Sequence, residues 1–480
     1  MTQLECDVVV IGSGVAGLAA ALEAGSRGAK VIVLESAPTI GGASAMSGAA
    51  CCIVGSPEQR AAGVEDNVEL ALRDWVSFGG ETVDLVWARD YLEHSLVDVH
   101  DFCAELGITW GTPQRQEGNS VARWHLPEQY GVGIVGALLE QARRHDVTVV
   151  TGARATDLVT VNGAVVGVTV DGLAGVDTVR AAATVVATGG FVNNRERLER
   201  VSERLRSVPR WLQGGSATAR GTGHELLEHV GAQFAHLENV WIYPVGTPDP
   251  QDPTGRRGVG LRNVVTELWF NLEGKRFHDE SLRGGKSGTD ALLAQPGQSI
   301  WAVFDGAEAA SVLLIDNEYW ASPSGPLPDR MRRFWTESDF AVRAETVSEL
   351  ANRTGLPEQP LADALVRFND ALGRGLETDP DTGRSLRGLA EVGPGGFAAV
   401  RMFPMAQKNF GGVVTDLSGR VLRSDGGIVP GLYAAGEVAG MAGGSINGAA
   451  GLEGTMFGPC LYSGRVAGRN VPVPALSTGV

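Results

Sequence analysis

The N-terminal segment carries the pattern that most restricts the fold of this chain. Residues 6–11 (CDVVVI) form a short apolar run, which is typical of a parallel strand buried on both faces. The run leads into GSGVAG at residues 12–17, then into a segment with a helical pattern, and then into a second apolar run that ends at Glu35. A strand, a glycine-rich turn, a helix and a second strand in this order predict a βαβ unit that binds a dinucleotide.

The three glycines of the turn have separate physical roles. Gly12 permits the tight turn, Gly14 lets a pyrophosphate approach the backbone, and Gly17 lets the helix pack closely on the strand. The start of the helix offers unpaired N–H groups and a positive dipole to the phosphates. Glu35 is placed to accept hydrogen bonds from the hydroxyls of an adenosine ribose.

Length and charge limit the class of protein. At 480 residues the chain is long enough for two domains or for one large domain with an insertion. Its apolar, charged and aromatic fractions are those of a globular protein. A net charge of −16 argues against a nucleic acid or an anionic membrane as the partner.

The cysteines and the apolar segments indicate the compartment. The five cysteines form no CxxC motif or Cys/His cluster, so the sequence predicts neither a disulfide framework nor a metal site. The N-terminus enters a strand without a basic segment before it, and no apolar stretch reaches membrane-spanning length. We therefore expect a cytoplasmic protein that does not bind a membrane.

The loop after Glu35 favours FAD over NAD. Residues 36–50 (SAPTIGGASAMSGAA) place Gly41 and Gly42 shortly after the acid and continue with small and hydroxylated residues. Such a loop has little side-chain bulk and supplies N–H and hydroxyl donors, so it can lie along an extended pyrophosphate–ribityl chain. Two later segments, AATVVATGGF at 182–191 and GGIVPGLYAAGEVAG at 426–440, each combine a buried strand with a glycine turn.

With these motifs the chain resembles the FAD-binding flavoproteins of the fumarate reductase/succinate dehydrogenase type, which include 3-ketosteroid dehydrogenases. The segment GGASAMSG at 41–48 is more similar to the ketosteroid type. The resemblance implies an α/β fold, in which a Rossmann-like FAD-binding domain of the glutathione-reductase type carries an inserted α+β substrate-capping domain. No His lies within residues 41–50, so we expect the FAD to be non-covalently bound.

The resemblance implies both domain boundaries and cofactor contacts. The FAD-binding domain is expected at residues 1–236 and 398–480, and the capping domain at 237–397. The residues expected to hold the FAD are Gly12, Gly14, Ala16, Gly17, Glu35, Ser36, Gly41, Gly42, Ala43, Ser44, Ser47, Gly48, Ala155, Ala187, Thr188, Gly189, Gly436, Glu437, Gly454, Thr455 and Met456.

Candidate catalytic residues follow from two positions in the capping domain. NLEGKRFHDESLRGGKSG at 271–288 resembles a family segment whose arginine is the proton donor of fumarate reductases, although Arg283 falls one position early. The alternative for Arg283 is a surface charge or a pair with Glu280. Tyr243 stands near the position at which fumarate reductases carry a carboxylate-binding histidine. Its hydroxyl is able to donate a hydrogen bond to a carbonyl or, as a phenolate, to remove a proton. Its alternative is buried packing.

Two further segments bear on the substrate. Where fumarate reductases carry a His before a Gly pair, this chain has Lys408 and its neighbours, and Lys408 either polarises a carbonyl or is a solvated loop charge. Residues 443–458 (GGSINGAAGLEGTMFG) lack the arginine that clamps a substrate carboxylate in fumarate reductases. Asn447 falls near the oxyanion-hole tyrosine of the ketosteroid type, so its amide is expected either to hold an enolate-like oxygen or to be a turn residue.

The end of this stretch is predicted to begin a helix from Leu452, with its first N–H groups directed at the flavin. The sequence assigns no function to Glu453, and the structural alternative for its charge is pairing with the dipole of the helix start.

The leading interpretation is an FAD-dependent oxidoreductase that transfers hydride between flavin N5 and a C–C bond next to a carbonyl, by desaturation of a cyclic ketone or ketosteroid-like substrate. Its partners are then a small carbonyl compound and an electron acceptor or donor that the sequence does not specify. The alternatives are a fumarate-reductase-like ene reductase for an unsaturated carboxylate or enone, and a non-catalytic FAD-bound subunit of an electron-transfer complex.

Overall fold

The chain divides into two compact units. A computed structural model describes residues 3–315, 320–321, 325–326 and 328–473. The first unit contains Met1–Ser202, Gly215–Trp241 and Lys408–Val480, and the second contains Glu203–Gly214 and Ile242–Gln407. The sequence of the second unit is thus inserted into that of the first. The domain boundaries expected at 237 and 398 stay a prediction.

The strands are short, and most of them belong to one large sheet in each unit. In chain order they are β1 Gln3–Ile11, β2 Val31–Glu35, β3 Cys51–Cys52, β4 Trp124–His125, β5 Val147–Thr151, β6 Arg154–Val161, β7 Ala164–Asp171, β8 Thr178–Val186, β9 Leu212–Gln213, β10 Phe234–Ala235, β11 Val240–Pro248, β12 Gly258–Arg262, β13 Leu268–Phe270, β14 Ile300–Asp305, β15 Leu313–Ile315, β16 Trp320–Ala321, β17 Gly325–Pro326, β18 Ala341–Ala344, β19 Phe397–Asn409, β20 Gly412–Val413, β21 Arg420–Leu422 and β22 Ile428–Ala434.

The helices differ more in length than the strands do. No helix within the described ranges combines the length and apolar character needed to cross a membrane. In chain order they are α1 Val15–Ser26, α2 Gly42–Met46, α3 Pro57–Ala61, α4 Val68–Gly79, α5 Leu85–His94, which continues into a π-helix at Ser95–Asp101, α6 Phe102–Glu105, α7 Tyr130–Arg143, α8 Arg195–Val201, α9 Glu203–Arg206, α10 Thr222–His229, α11 Ser287–Leu293, α12 Pro328–Glu337, α13 Val347–Thr354, α14 Glu358–Gly373 and α15 Phe457–Asn470.

The sheet of the first unit is parallel in its centre. Its strand order is β21-β22-β8-β1-β2-β5, and β6 and β7 extend it from β8. β1 pairs in parallel with both β2 and β8, and β22 pairs in parallel with β8. Because parallel strands are covered on both faces, Val8–Ile11 of β1 and Val31–Leu34 of β2 are apolar and almost fully buried. This topology confirms the predicted α/β fold class.

The sheet of the second unit is mainly antiparallel. Its order is β13-β14-β19-β11-β12-β15, and both β18 and β9 also pair with β19. The long strand β19 therefore organises this unit. One face carries an apolar core in which α13 and α14 pack through Leu350, Leu361 and Phe368.

The final helix begins later than the sequence pattern predicts. The expected start is Leu452, whereas α15 starts at Phe457 and turns occupy residues 453–456. Gly454 has a φ of +94°, which is incompatible with a right-handed helix. Glu453 therefore lies ahead of the helix and not in its first turn, and its pairing with the helix dipole stays a prediction.

Candidate active site

A cleft in the first unit lies at the carboxyl ends of β1 and β2, beside the start of α1. Its open volume is about 920 Å³, and it collects residues from the N-terminal, middle and C-terminal parts of the chain. Ligands of open α/β sheets bind at this edge, because the strand ends and helix starts point into the same crevice. The cleft therefore has the position of a dinucleotide site.

Glu35 is held in the cleft wall by its neighbours. One carboxylate oxygen accepts hydrogen bonds from the Ser13 hydroxyl at 2.6 Å and from the Ser13 N–H at 3.1 Å. The other accepts from the Ala37 N–H at 2.8 Å. These bonds fix the orientation of the carboxylate at the end of β2, where a ribose hydroxyl would meet it.

Ser13 and Ser44 connect the glycine-rich turn to the loop that follows Glu35. The Gly41 N–H donates to the Ser13 hydroxyl at 3.1 Å, and the Val15 N–H donates to the Ser44 hydroxyl at 3.0 Å. Gly14, the residue before α1, adds no side chain that would occupy the N–H groups of the helix start. The remaining N–H donors of α1 are thus available to an anionic ligand.

Close backbone packing explains two of the glycines. Gly12 has a φ of +106°, and a Cβ there would lie 2.4 Å from the Ala187 oxygen. A Cβ on Gly17 would lie 2.0 Å from the Gly12 oxygen. The turn, the helix and the end of β8 therefore pack so closely that a side chain at Gly12 or Gly17 would clash with the backbone.

The far wall of the cleft contains a buried carboxyl group. The Asn409 N–H donates to Glu437 at 2.9 Å, and the Asn409 side-chain oxygen accepts from the Phe191 N–H at 2.7 Å. Burial raises the pKa of Glu437, while the Asn409 N–H and the Lys408 ammonium lower it in part. Burial likewise raises the pKa of the Cys460 thiol, which lies in the same wall. Burial thus disfavours the charged form of each group.

The cleft gathers most of the residues that the sequence predicts for FAD, although their contacts with FAD stay a prediction. Its lining includes Gly12, Gly14, Ala16, Glu35, Ser36, Gly42, Ala43, Ser44, Ala155, Ala187, Thr188, Gly189, Gly436 and Glu437. The predicted residues that are not among the lining are Gly17, Gly41, Ser47, Gly48, Gly454, Thr455 and Met456.

Sequence reasoning missed four hydroxyl residues of the cleft. Ser13, Ser216, Thr218 and Thr222 all line it. Ser13 occupies a variable position of the glycine pattern, so the motif gave no reason to select it. Ser216 and Thr218 belong to the small-residue turn before α10, and Thr222 is the first residue of that helix; the composition of this segment was the only available signal.

The cleft fits an FAD molecule in its chemistry. The Thr188 hydroxyl oxygen is buried and, within the described residues, has no hydrogen-bond partner of its own. A cofactor with ribose and ribityl hydroxyls would supply the missing hydrogen-bond partner of Thr188, because buried polar atoms are almost always paired. The glycine turn, the start of α1 and Glu35 are suited to the pyrophosphate and the adenosine ribose.

Buried hydrogen bonds hold residues 443–458 against other parts of the first unit. The Trp75 indole donates to the Ile446 oxygen at 2.9 Å, and the Ala449 N–H donates to the Gly79 oxygen at 2.9 Å. The Asn447 side chain is fully buried, and its amide nitrogen donates to the Thr455 oxygen at 2.9 Å. This bond closes the turn and uses one of the two amide hydrogens. The oxyanion role of Asn447 stays a prediction, and it would use the second amide hydrogen.

Tyr243 lies on β11 in the second unit. It is 5% exposed, and the Arg262 guanidinium lies 5.7 Å from the centroid of its ring. The buried packing that the sequence leaves open for Tyr243 is thus present, together with a positive charge beside the phenol. Its proton-transfer role stays a prediction.

Arg283 is oriented by an acid that the sequence did not identify. Its guanidinium contacts the Glu267 carboxylate at 3.0 Å and donates to the Leu261 oxygen at 2.9 Å. Glu267 is 1% exposed, and the same carboxylate oxygen accepts from the Trp269 indole at 3.1 Å. Glu280, the partner considered from the sequence, pairs instead with two other arginines, Arg276 and Arg384.

The site elements together define a class of protein, a flavin-dependent oxidoreductase with a dinucleotide-type FAD cleft. Comparison with known proteins agrees, since the model of the FAD binding domain family matches residues 7–456. The chain belongs to this family. It is an FAD-dependent oxidoreductase acting on CH–CH groups.

Two curated proteins and one solved structure illustrate the similarity. A KsdD-like steroid dehydrogenase of Mycobacterium tuberculosis is 29% identical, over 97% of this chain and 95% of its own length. A cytochrome-type fumarate reductase of Shewanella frigidimarina is 28% identical, over 96% of this chain and 76% of its own. The 3-ketosteroid-Δ4-(5α)-dehydrogenase of Rhodococcus jostii has a TM-score of 0.71 and 25% identity, over 98% of this chain and 97% of that one.

Proposed function

We propose that the enzyme desaturates a cyclic ketone or ketosteroid-like compound. The observation that carries the proposal is the composition of residues 443–458, in which Glu453 is the only charged side chain. A carboxylate substrate would need a cationic partner in this stretch, whereas a neutral ketone needs only hydrogen-bond donors. The similarity to steroid dehydrogenases supports the same substrate class.

The reaction removes a hydride from one carbon and a proton from its neighbour. Bound FAD supplies the two-electron acceptor. Tyr243 is the proposed proton acceptor in its phenolate form, which the Arg262 guanidinium beside its ring would stabilise. Asn447 would hold the carbonyl oxygen through its second amide hydrogen as negative charge develops there.

The test is a panel of cyclic ketones with an artificial electron acceptor. The FAD-loaded enzyme is expected to reduce the acceptor with cyclic ketones and not with succinate-like acids. Tyr243→Phe should lower kcat at least about hundredfold, as expected for loss of a general base, with unchanged flavin content. Turnover of succinate-like acids alone, or full turnover by Tyr243→Phe, would overturn the proposal.

A second candidate is reduction of an unsaturated carboxylate, with Arg283 as the proton donor. The contact between Arg283 and Glu267 favours it, because it fixes the orientation of the guanidinium. Arg283 would give one proton to the substrate carbon and regain it from water before the next turnover. Mixing the reduced enzyme with each class of substrate distinguishes the two candidate functions. Reoxidation by fumarate-like acids but not by cyclic enones would select this candidate. A cytoplasmic location is part of both proposals.

A further inference from the structure

Two arginines of the second unit share one aromatic ring. Arg401 lies on β19, and Arg210 lies just before β9. The guanidinium carbons of Arg210 and Arg401 lie 4.8 and 5.4 Å from the centroid of the Phe403 ring. The Arg210 guanidinium also lies 4.7 Å from the centroid of Phe340. The rings hold both guanidinium groups in place through cation–π contacts.

Neither arginine forms an ion pair with any residue that the structure describes. The polar contact of Arg210 is the Gly255 oxygen at 3.5 Å, and that of Arg401 is the Ser299 hydroxyl at 3.1 Å. The Nε of Arg401 is buried and has no hydrogen-bond partner among the described residues. The chain has 56 acidic against 40 basic residues, so acidic partners are in excess and the lack of one here is a specific feature of the site.

The two charges are held at an electrostatic cost. Burial lowers the pKa of Arg210, and burial together with the charge of Arg210 lowers the pKa of Arg401. Like charges at short range in a partly buried place destabilise each other unless an anion neutralises them. The two arginines repel each other, and the buried Arg401 Nε–H lacks an acceptor within the described part of the chain. A negatively charged ligand would relieve the repulsion and accept from this donor.

We propose that Arg210 and Arg401 bind the phosphate or carboxylate group of an anionic ligand. A guanidinium presents two parallel N–H donors to such a group, and the ring contacts keep these donors oriented before the ligand arrives. The Ser299 hydroxyl lies beside Arg401 and adds a further donor. The site lies wholly in the second unit and does not depend on the ketone substrate proposed above.

The experiment is a calorimetric titration of the FAD-loaded enzyme with inorganic phosphate at constant ionic strength. Wild type is expected to bind phosphate, and Arg401→Gln and Arg210→Gln are each expected to weaken the binding about tenfold or more, as for loss of a charge-assisted hydrogen bond. Arg401→Lys keeps the charge but loses the fork, so it should bind with intermediate affinity. A parallel titration with acetate separates a general oxyanion site, which binds both ions, from a phosphate site.

The matched control is Arg343→Gln. Arg343 is an exposed arginine of the same unit that also stacks on an aromatic ring, at 5.1 Å from Trp335. Its loss should leave phosphate binding unchanged. Thermal unfolding without phosphate checks that the variants fold, and each Gln variant removes one of two repelling charges, so its Tm should not fall. Binding of neither ion by wild type, or equal weakening by Arg343→Gln, would overturn the proposal.

Discussion

The Glu35 carboxylate shows how a single acid can be prepared for a ligand before the ligand arrives. Three donors from Ser13 and Ala37 hold it, and it is 7% exposed. A carboxylate held this way loses little further freedom when a ribose hydroxyl binds. Its charge, rather than its shape alone, makes the bonds to Ser13 strong.

Replacing Glu35 with Gln should therefore weaken FAD binding. The amide is neutral and donates through one of its two heavy atoms, so it cannot accept from both Ser13 and Ala37 as the carboxylate does. We expect FAD affinity to fall about tenfold or more, measured by flavin fluorescence during titration of the apoprotein. The matched change Glu5→Gln, at the exposed start of β1, should leave affinity unchanged. Equal affinities for the two variants would contradict the assignment.

Glu267 is the buried acid that orients the Arg283 guanidinium. Under the second candidate function, in which Arg283 is the proton donor, Glu267→Gln should lower turnover of unsaturated carboxylates at least about tenfold, because it leaves Arg283 without its counter-ion and frees its orientation. The flavin content should not change, since the change lies in the second unit. Glu273→Gln, which removes only an exposed partner of Lys275, is the control.

The pH profile separates a positioning role for Glu267 from a merely structural one. If Glu267 acts through Arg283, the profile of kcat/KM for Glu267→Gln should shift, whereas a packing defect lowers activity equally at every pH. A profile that superimposes on that of wild type after scaling would show that Glu267 has no such role.

At the scale of elements, α1 packs closely on the turn that precedes it. Gly17→Ala places a methyl group 2.0 Å from the Gly12 oxygen, so helix and turn must separate. We expect a loss of about 1–3 kcal/mol in the free energy of unfolding, as for overpacking elsewhere, together with a lower FAD content.

The control for this change lies on another helix. Gly136→Ala, on the exposed face of α7, meets no atom within 4 Å. It should stabilise the protein by about 0.5–1 kcal/mol, because alanine loses less entropy than glycine in a helix. Thermal unfolding of both variants gives the comparison, and a Gly17→Ala variant as stable as Gly136→Ala would refute the close contact.

What the sequence could predict depended on whether the signal was local. The unit β1–α1–β2 was predictable, because glycine spacing, apolar runs and Glu35 lie within 35 residues. The start of α15 was not, since it depends on the left-handed conformation of Gly454, which composition does not reveal. The partner of Arg283 lies 16 positions away, at Glu267, and only the tertiary fold selects it over the nearer Glu280.

For the whole molecule, one buried histidine links stability to acidity. His224 is fully buried between Phe191 and Phe234, and its two ring nitrogens have no partner among the described residues. Burial, with a smaller effect of the Arg197 charge, lowers its pKa from 6.5 to about 3. The folded state therefore keeps His224 neutral where the unfolded chain binds a proton.

The sign of the effect follows directly. With a lowered folded-state pKa, the stabilisation is complete above pH 6.5 and is lost as the pH falls towards 3. The loss should approach ~1.4 kcal/mol per pH unit in that window. His224→Phe keeps an aromatic ring without the titration, so its unfolding free energy should vary less with pH. The control His229→Phe, at an exposed position, should follow wild type. Parallel curves for wild type and His224→Phe would refute this linkage.

The cleft joins parts of the chain that lie far apart in the sequence. The glycine turn at residues 12–17 is synthesised well before Gly436, Glu437 and Cys460. The helix α15 packs on α1 so closely that a Cβ on Gly464 would lie 2.2 Å from the Ala16 oxygen. A growing chain thus carries half a flavin site while the residues between these segments are synthesised. Docking of the last helix and lasting retention of the coenzyme should consequently occur together, so the bound flavin reports that translation has reached the end of the fold.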